Sequence, residues 1–167
     1  MNYATIGTVS HGTLRDADLI ESFASELDHL IQRNADEWCS DDDRKTRDGF
    51  VNTVWDAREL LDDDGEVVNG RESDASDMVG ALMECLEYFA APYCYFGATE
   101  GDGSDFGFWP SIESVNDAVR DGDLLQVGDT SDIPSDYVGE VCHVSDHGNV
   151  TLYSVENGNA RELWAAV

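Results

Sequence analysis

The sequence predicts an α+β fold: three amphipathic N-terminal helices packed on a mostly antiparallel sheet. Apolar residues recur at helical spacing to about residue 91, and after Pro92 the period shortens from 3.6 to 2. A share of 41% apolar and 10% aromatic residues is too high for a disordered acidic tail, so a real core is expected. For 167 residues the expectation is a single α+β domain over 1–167. Its helical part covers about 13–91, its sheet-rich part about 92–167, and a short N-terminal strand about 3–9.

That strand alternates apolar and small polar residues from Tyr3 to Val9 and stops at Ser10-His11-Gly12. Thr13 or Asp16 then caps a helix to about Arg33. Leu19, Ile20, Phe23, Leu27, Leu30 and Ile31 share its inner face, with Asp18, Glu21 and Asp28 opposite. Residues 34–48 are polar and predict a loop with a helical turn near Trp38. A second helix is expected over about 48–62, with Phe50, Val51, Val54, Leu60 and Leu61 inward and Asp56 and Glu59 outward. Asp62-Asp63-Asp64-Gly65 ends it, because three carboxylates oppose the macrodipole at a C-terminus. After a turn-rich connection over 65–73, Ser73 or Asp74 caps a third helix over about 74–90, ended by Pro92. Met78, Val79, Leu82, Met83, Leu86 and Phe89 line its apolar face, and Asp77, Glu84 and Glu87 the other.

Tyr93 to Phe96 and Phe106 to Trp109 predict two strands joined by a loop from Gly97 to Asp105. Alternation assigns Tyr93, Tyr95 and Phe108 to one face, leaving Phe96, Phe106 and Trp109 available to the other. Ser111 caps a short helix to about Arg120, and Leu124 to Val127 makes a further strand. A meander follows over Gly139–Val144, Asn149–Val155 and Glu162–Val167. Its turns fall at Asp146-His147-Gly148 and Asn157-Gly158-Asn159.

Charge carries most of the functional information. Thirty-six acidic residues face nine basic ones, a formal charge of −27, and Lys45 is the only lysine. Such a surface repels nucleic acid and anionic membrane and attracts proteins that grip polyanions. Runs at Asp41-Asp42-Asp43 and Asp62-Asp63-Asp64 join the outward carboxylates Asp56, Glu59, Asp77, Glu84 and Glu87 as a partner-binding set. Glu100, Asp102 and Asp105 complete it. Duplex DNA carries one charge per roughly 1.7 Å of axis, and a rigid array of carboxylates can compete for the Lys/Arg track that reads it. Adaptation to high salt and plain solubility are the competing explanations of an acidic, lysine-poor surface.

Chemistry-bearing motifs are thin. The loop Glu100 to Asp105 resembles a cation loop but breaks the EF-hand pattern, with Asp105 at its sixth position and Ser111 at its twelfth. Cys39, Cys85, Cys94 and Cys142 form no C-x-x-C pair and predict reduced thiols, with Cys94, Cys142 and His143 as a conceivable metal set. Cys142 and His143 are neighbours on a strand, point to opposite faces and cannot pair as nucleophile and base. His11, His29 and His147 lack a catalytic context, and no P-loop, G-x-S-x-G or H-E-x-x-H is present. No enzyme activity, cofactor or metal is expected. The segment MNYATIGTVSHG has no basic-plus-apolar leader and no run is long enough to span a membrane, so a cytoplasmic location in a host cell is expected.

Two stretches, PYCYFGATEGDGSDFGFWPSIE (Pro92 to Glu113) and VSDHGNVTLY (Val144 to Tyr153), resemble segments of uncharacterised small acidic proteins of bacteriophages and mobile elements. A weaker likeness lies at ATIGTVSHGTLR near the start. The resemblance implies a phage-like setting and brings no known activity. The expected function is an anti-defence, DNA-mimicking inhibitor of a restriction enzyme, nuclease or CRISPR effector, binding its host protein target and no nucleic acid directly. The alternative is an acidic accessory or assembly protein that grips a partner through aromatic strands 93–109.

Overall fold

The computed structural model describes residues 2–156 and 158–166, which form four α-helices and two β-sheets. The class is α+β. Contacts divide the chain into two compact units. One is the chain to Ala90 with Tyr95–Trp109; the other is Ala91–Cys94 with the chain from Pro110.

In the first unit, strand β1 (Gly7–His11) leads into helix α1 (Asp16–Arg33). Its stripe is buried as expected, with Ile20, Phe23, Leu27 and Leu30 fully enclosed. Each such side chain contributes about 1.5–3 kcal/mol relative to exposure. The strand, however, starts and ends later than the Tyr3–Val9 expectation. Ala4, ahead of the strand, packs into the core and donates its N–H to the Phe89 carbonyl at 2.8 Å. Neither Thr13 nor Asp16 is the N-cap of α1; Arg15 occupies that position without a side-chain cap. Thr13 instead accepts from the Arg15 N–H and donates to Asp18 at 2.6 Å.

Helix α2 (Asp41–Arg58) begins seven residues before the expected start. The reason is a capping box: the Ser40 hydroxyl accepts from the Asp43 N–H at 3.1 Å, and the Asp43 carboxylate accepts from the Ser40 N–H at 2.9 Å. A segment read as loop is therefore the first turn of a helix. Trp38 lies ahead of it, buried, after a 3₁₀ turn over Ala35–Glu37. Val51, expected inward, is 48% exposed. Helix α3 (Glu72–Glu87) also starts earlier than expected, with Arg71 rather than Ser73 or Asp74 at its N-cap, and ends before Pro92. Leu82, Leu86 and Phe89 enter the core with Val54, Ala57 and Leu60. Trp38, Phe50, Tyr88 and Phe89 close one end as an aromatic cluster with centroids 5.2–6.3 Å apart.

Strands β2 (Cys94–Thr99) and β3 (Asp102–Pro110) are longer than expected and leave only Glu100–Gly101 as the turn. Most of the supposed loop is ladder. The sheet order is β1-β3-β2, with β1 antiparallel to β3 and irregular between Thr8 and Ser10. A Cβ at Gly107 would collide with the Gly7 carbonyl, so this approach of β1 and β3 requires glycine. The aromatic faces differ from expectation. Phe106 and Phe108 are two residues apart and must share a face. Phe96 packs on Phe108 at 4.9 Å, while Phe23 of α1 meets Phe96 at 5.0 Å and Phe106 at 5.6 Å.

The second unit contains α4 (Ile112–Asp121) and a sheet of β4 (Leu125–Val127), β5 (Gly139–Val144), β6 (Val150–Glu156) and β7 (Asn159–Ala166) in that order. Ser111 caps α4 by accepting from the Ser114 N–H, and Gly122 ends it at φ 84°. The pair β4–β5 is parallel and the others antiparallel, so the expected single sheet is two sheets. Val127, Val141 and Val155 form a small core, and the buried Trp164 donates to the Pro92 carbonyl at 2.8 Å. Strand β7 starts at Asn159, three residues before the expected start. Asn157 of the predicted turn and Val167 at the predicted strand end lie outside the described residues.

Candidate acidic interface

The two Asp runs sit at opposite ends of α2 and have different chemistry. Asp41, Asp42 and Asp43 form the first helical turn, where the positive end of the macrodipole favours carboxylates. Asp41 pairs with Arg44 at 3.2 Å and Asp42 with Lys45 at 3.1 Å. Asp43 is committed to the capping box, and the Ser40 hydroxyl and N–H hold its carboxyl below the usual range. Much of this run is therefore neutralised or structural.

Beyond the other end, Asp62 Oδ1 accepts from the N–H groups of Asp64 and Glu66, both at 3.0 Å, and shapes the turn. Asp63 and Asp64 are exposed, with no side-chain hydrogen bond or ion pair among the described residues. With Asp62, Glu21, Ser25 and Arg58 they line an open depression of about 640 Å³ beside α1. Arg58 is already engaged by Asp28 at 2.9 Å, which lowers the Asp28 carboxyl together with the Gln32 amide. Asp56 and Glu59, within the last turn and at the end of α2, are exposed and unpartnered in the same sense.

Helix α3 adds Asp77 and Glu84, exposed and seven residues apart, about 10.5 Å along the axis at 1.5 Å per residue. Glu87, expected on the same face, instead accepts the Phe96 N–H at 2.6 Å and is tied to the sheet. In the hairpin, Glu100 is exposed at the turn. Asp102 is an Asx turn accepting from the Ser104 N–H and hydroxyl at 2.9 and 2.8 Å, and these bonds lower its carboxyl, helped by His11 at 3.6 Å. Asp105 is half-buried opposite His11, with Oδ1 buried and unpartnered.

Half of the predicted set therefore stays available: Asp56, Glu59, Asp63, Asp64, Asp77, Glu84 and Glu100. Two further residues join the site without having been expected there: Glu21, a companion of the second run, and Trp55, 64% exposed on α2. The charge pattern carries a signal for the free carboxylates, though not for Glu21 or Trp55. Arg58 is the only basic residue between Asp48 and Gly70, and no Lys or Arg occurs from Glu72 to Val119, so uncompensated charge concentrates after the first Asp run.

The remaining candidates do not assemble chemistry. Among the described residues no group of three His, Cys, Asp or Glu can hold a metal ion, so Cys94, Cys142 and His143 form no centre. Cys142 is buried, and burial pushes its thiol pKa up, away from the thiolate a nucleophile needs. The anchoring aromatics expected at 93–109 are largely spent: Phe96 and Phe108 are core, Tyr95 donates to the Ala98 carbonyl and Trp109 to the Gly97 carbonyl. No described helix is long and apolar enough to cross a membrane. Comparison with protein-family models, with curated proteins and with solved structures gives no match.

Proposed function

We propose that this protein is a stoichiometric inhibitor that occupies the nucleic-acid-binding surface of a host defence protein, a restriction enzyme, nuclease or CRISPR effector. The observation that carries the reading is the set Asp56, Glu59, Asp63 and Asp64, exposed on and just beyond one helix and, among the described residues, without cation partners. A Lys/Arg track built for phosphates would meet these carboxylates without first breaking ion pairs of this chain. The first Asp run would contribute little, because Arg44 and Lys45 already face it. The partner is a protein, with no direct contact to nucleic acid, and the setting is the host cytoplasm implied by the phage-like resemblance. Long-range attraction would make association fast and salt-sensitive.

The test is binding to purified restriction enzymes and CRISPR effectors, with duplex DNA as competitor, at low and high salt. DNA should displace the chain, and affinity should fall as salt rises. Binding that ignores salt, or survives Asp56→Asn/Glu59→Gln/Asp63→Asn/Asp64→Asn, would falsify the reading.

One observation favours a second reading, an accessory protein whose charge serves solvation at high salt. Carboxylates such as Asp123, Asp136, Asp146 and Glu162 continue through the second unit, where Arg120 and Arg161 are the only cations. On that reading the melting temperature rises steeply with molar KCl and no basic partner is found.

A further inference from the structure

Helix α2 carries an apolar pair that its own fold leaves uncovered. Phe50, Val54 and Ala57 make the inward stripe. Val51 and Trp55, one turn apart, fall off it and stay 48% and 64% exposed. The other three tryptophans are settled. Trp38 and Trp164 are buried, and Trp38, Trp109 and Trp164 donate their indole N–H to the carbonyls of Ile31, Gly97 and Pro92. Trp55 has neither cover nor an indole hydrogen bond among the described residues. A lone exposed indole with a branched neighbour is the residue type that anchors protein interfaces.

The surrounding charge decides what can cover it. Asp48 is paired with Arg47 and Arg58 with Asp28, whereas Asp56, next to Trp55 in the chain, and Glu59, one turn on, have no ion pair among the described residues. A second copy of this chain would bring the same carboxylates to a self-complementary contact. Nucleic acid and anionic lipid are of like sign. A neutral apolar groove would desolvate two carboxylates with no cation in return. An arginine side chain satisfies every group: its guanidinium stacks on the indole face while its N–H fork reaches a carboxylate, which a lysine ammonium does less well.

We propose that Trp55, with Val51 one turn before it and Asp56 and Glu59 next to it and one turn after it on the helix, is the anchor that receives an arginine side chain from a cationic protein surface. This rests on the inhibitor reading and adds selectivity to it: where the target stacks a nucleobase against arginine, the indole takes the place of the base.

The full chain is titrated at low salt with fluorescent deca-arginine and deca-lysine peptides. The wild type should bind the arginine peptide more tightly. Trp55→Ala should weaken arginine binding about three- to fivefold and lysine binding by less, with Trp55→Phe in between. Asp56→Asn/Glu59→Gln should weaken both peptides. Because the side chain is largely exposed, Trp55→Ala should melt with the wild type; if it does not fold, the Phe variant carries the comparison. An arginine-to-lysine ratio equal in wild type and Trp55 variants overturns the anchor and leaves the inhibitor reading standing. Binding to neither peptide overturns both.

Discussion

Two identical tripeptides, Asp41-Asp42-Asp43 and Asp62-Asp63-Asp64, lie at the two ends of one helix and do different work. At the N-terminus the carboxylates meet unsatisfied N–H groups and a favourable dipole, and they also find Arg44 and Lys45 one turn on. Past the C-terminus the dipole is unfavourable, so the helix stops and the chain turns through Asp62. Asp63 and Asp64 are left facing solvent. The first run and Asp62 make structure, while Asp63 and Asp64 make surface. Counting acids along a sequence therefore overstates what is offered to a partner.

Neutralisation tests this division most directly. Asp56→Asn/Glu59→Gln/Asp63→Asn/Asp64→Asn should weaken a basic partner by about tenfold or more at low salt. Asp41→Asn/Asp42→Asn should change binding less than threefold, about the scale of one weak surface pair. Equal losses, read by titration against the same target, would erase the distinction between the runs.

Stability should respond in the reverse order. Ser40→Ala removes the cap that starts α2 and should cost about 1 kcal/mol, read as a lower midpoint in denaturant. Asp63→Asn/Asp64→Asn should stay within about 0.5 kcal/mol of wild type, on the stabilising side because repulsion is relieved. The gain should vanish at high salt. A cost from the second pair larger than that from Ser40→Ala would show that the second run is structural too.

A smaller effect lies in the acid limb. The Asp43 carboxyl is held low by the Ser40 hydroxyl and N–H. The stability it contributes is therefore present above the ordinary aspartate value and lost as pH falls through the lower folded value. Ser40→Ala should flatten that limb, and the Asp63/Asp64 variant should not. Glu26 has the opposite sign, because burial raises its carboxyl. Its contribution is present below the ordinary glutamate value and lost as pH rises through the folded one, so Glu26→Gln should be the more stable form at neutral pH. Unfolding midpoints between pH 3 and pH 7 check both signs.

Local physics explains what could be read from the sequence. The α1 stripe from Leu19 to Ile31 and the Ser111 cap of α4 depend on neighbours within one or two turns, and both stand where periodicity places them. The start of α2 was equally local, since Ser40 and Asp43 are three residues apart, but the density of charge in 34–48 hid the capping box. The length of β2 and β3 was not local. Gly97 to Asp105 carries turn chemistry throughout, and its strand character comes from pairing across the sheet, including the close contact of Gly107 with Gly7.

The sequence by itself determined the α+β class, the buried stripe of α1 and the overwhelming negative charge, because periodicity, capping and charge are properties of neighbouring residues. Tertiary structure alone decided which carboxylates are free and which aromatics are exposed. Glu87 is taken by the Phe96 N–H and Arg58 by Asp28, thirty positions apart. Phe96 and Phe108 are buried against each other, and Trp55 is left outside. A side chain's availability depends on what the folded chain brings beside it, and those partners are distant in sequence.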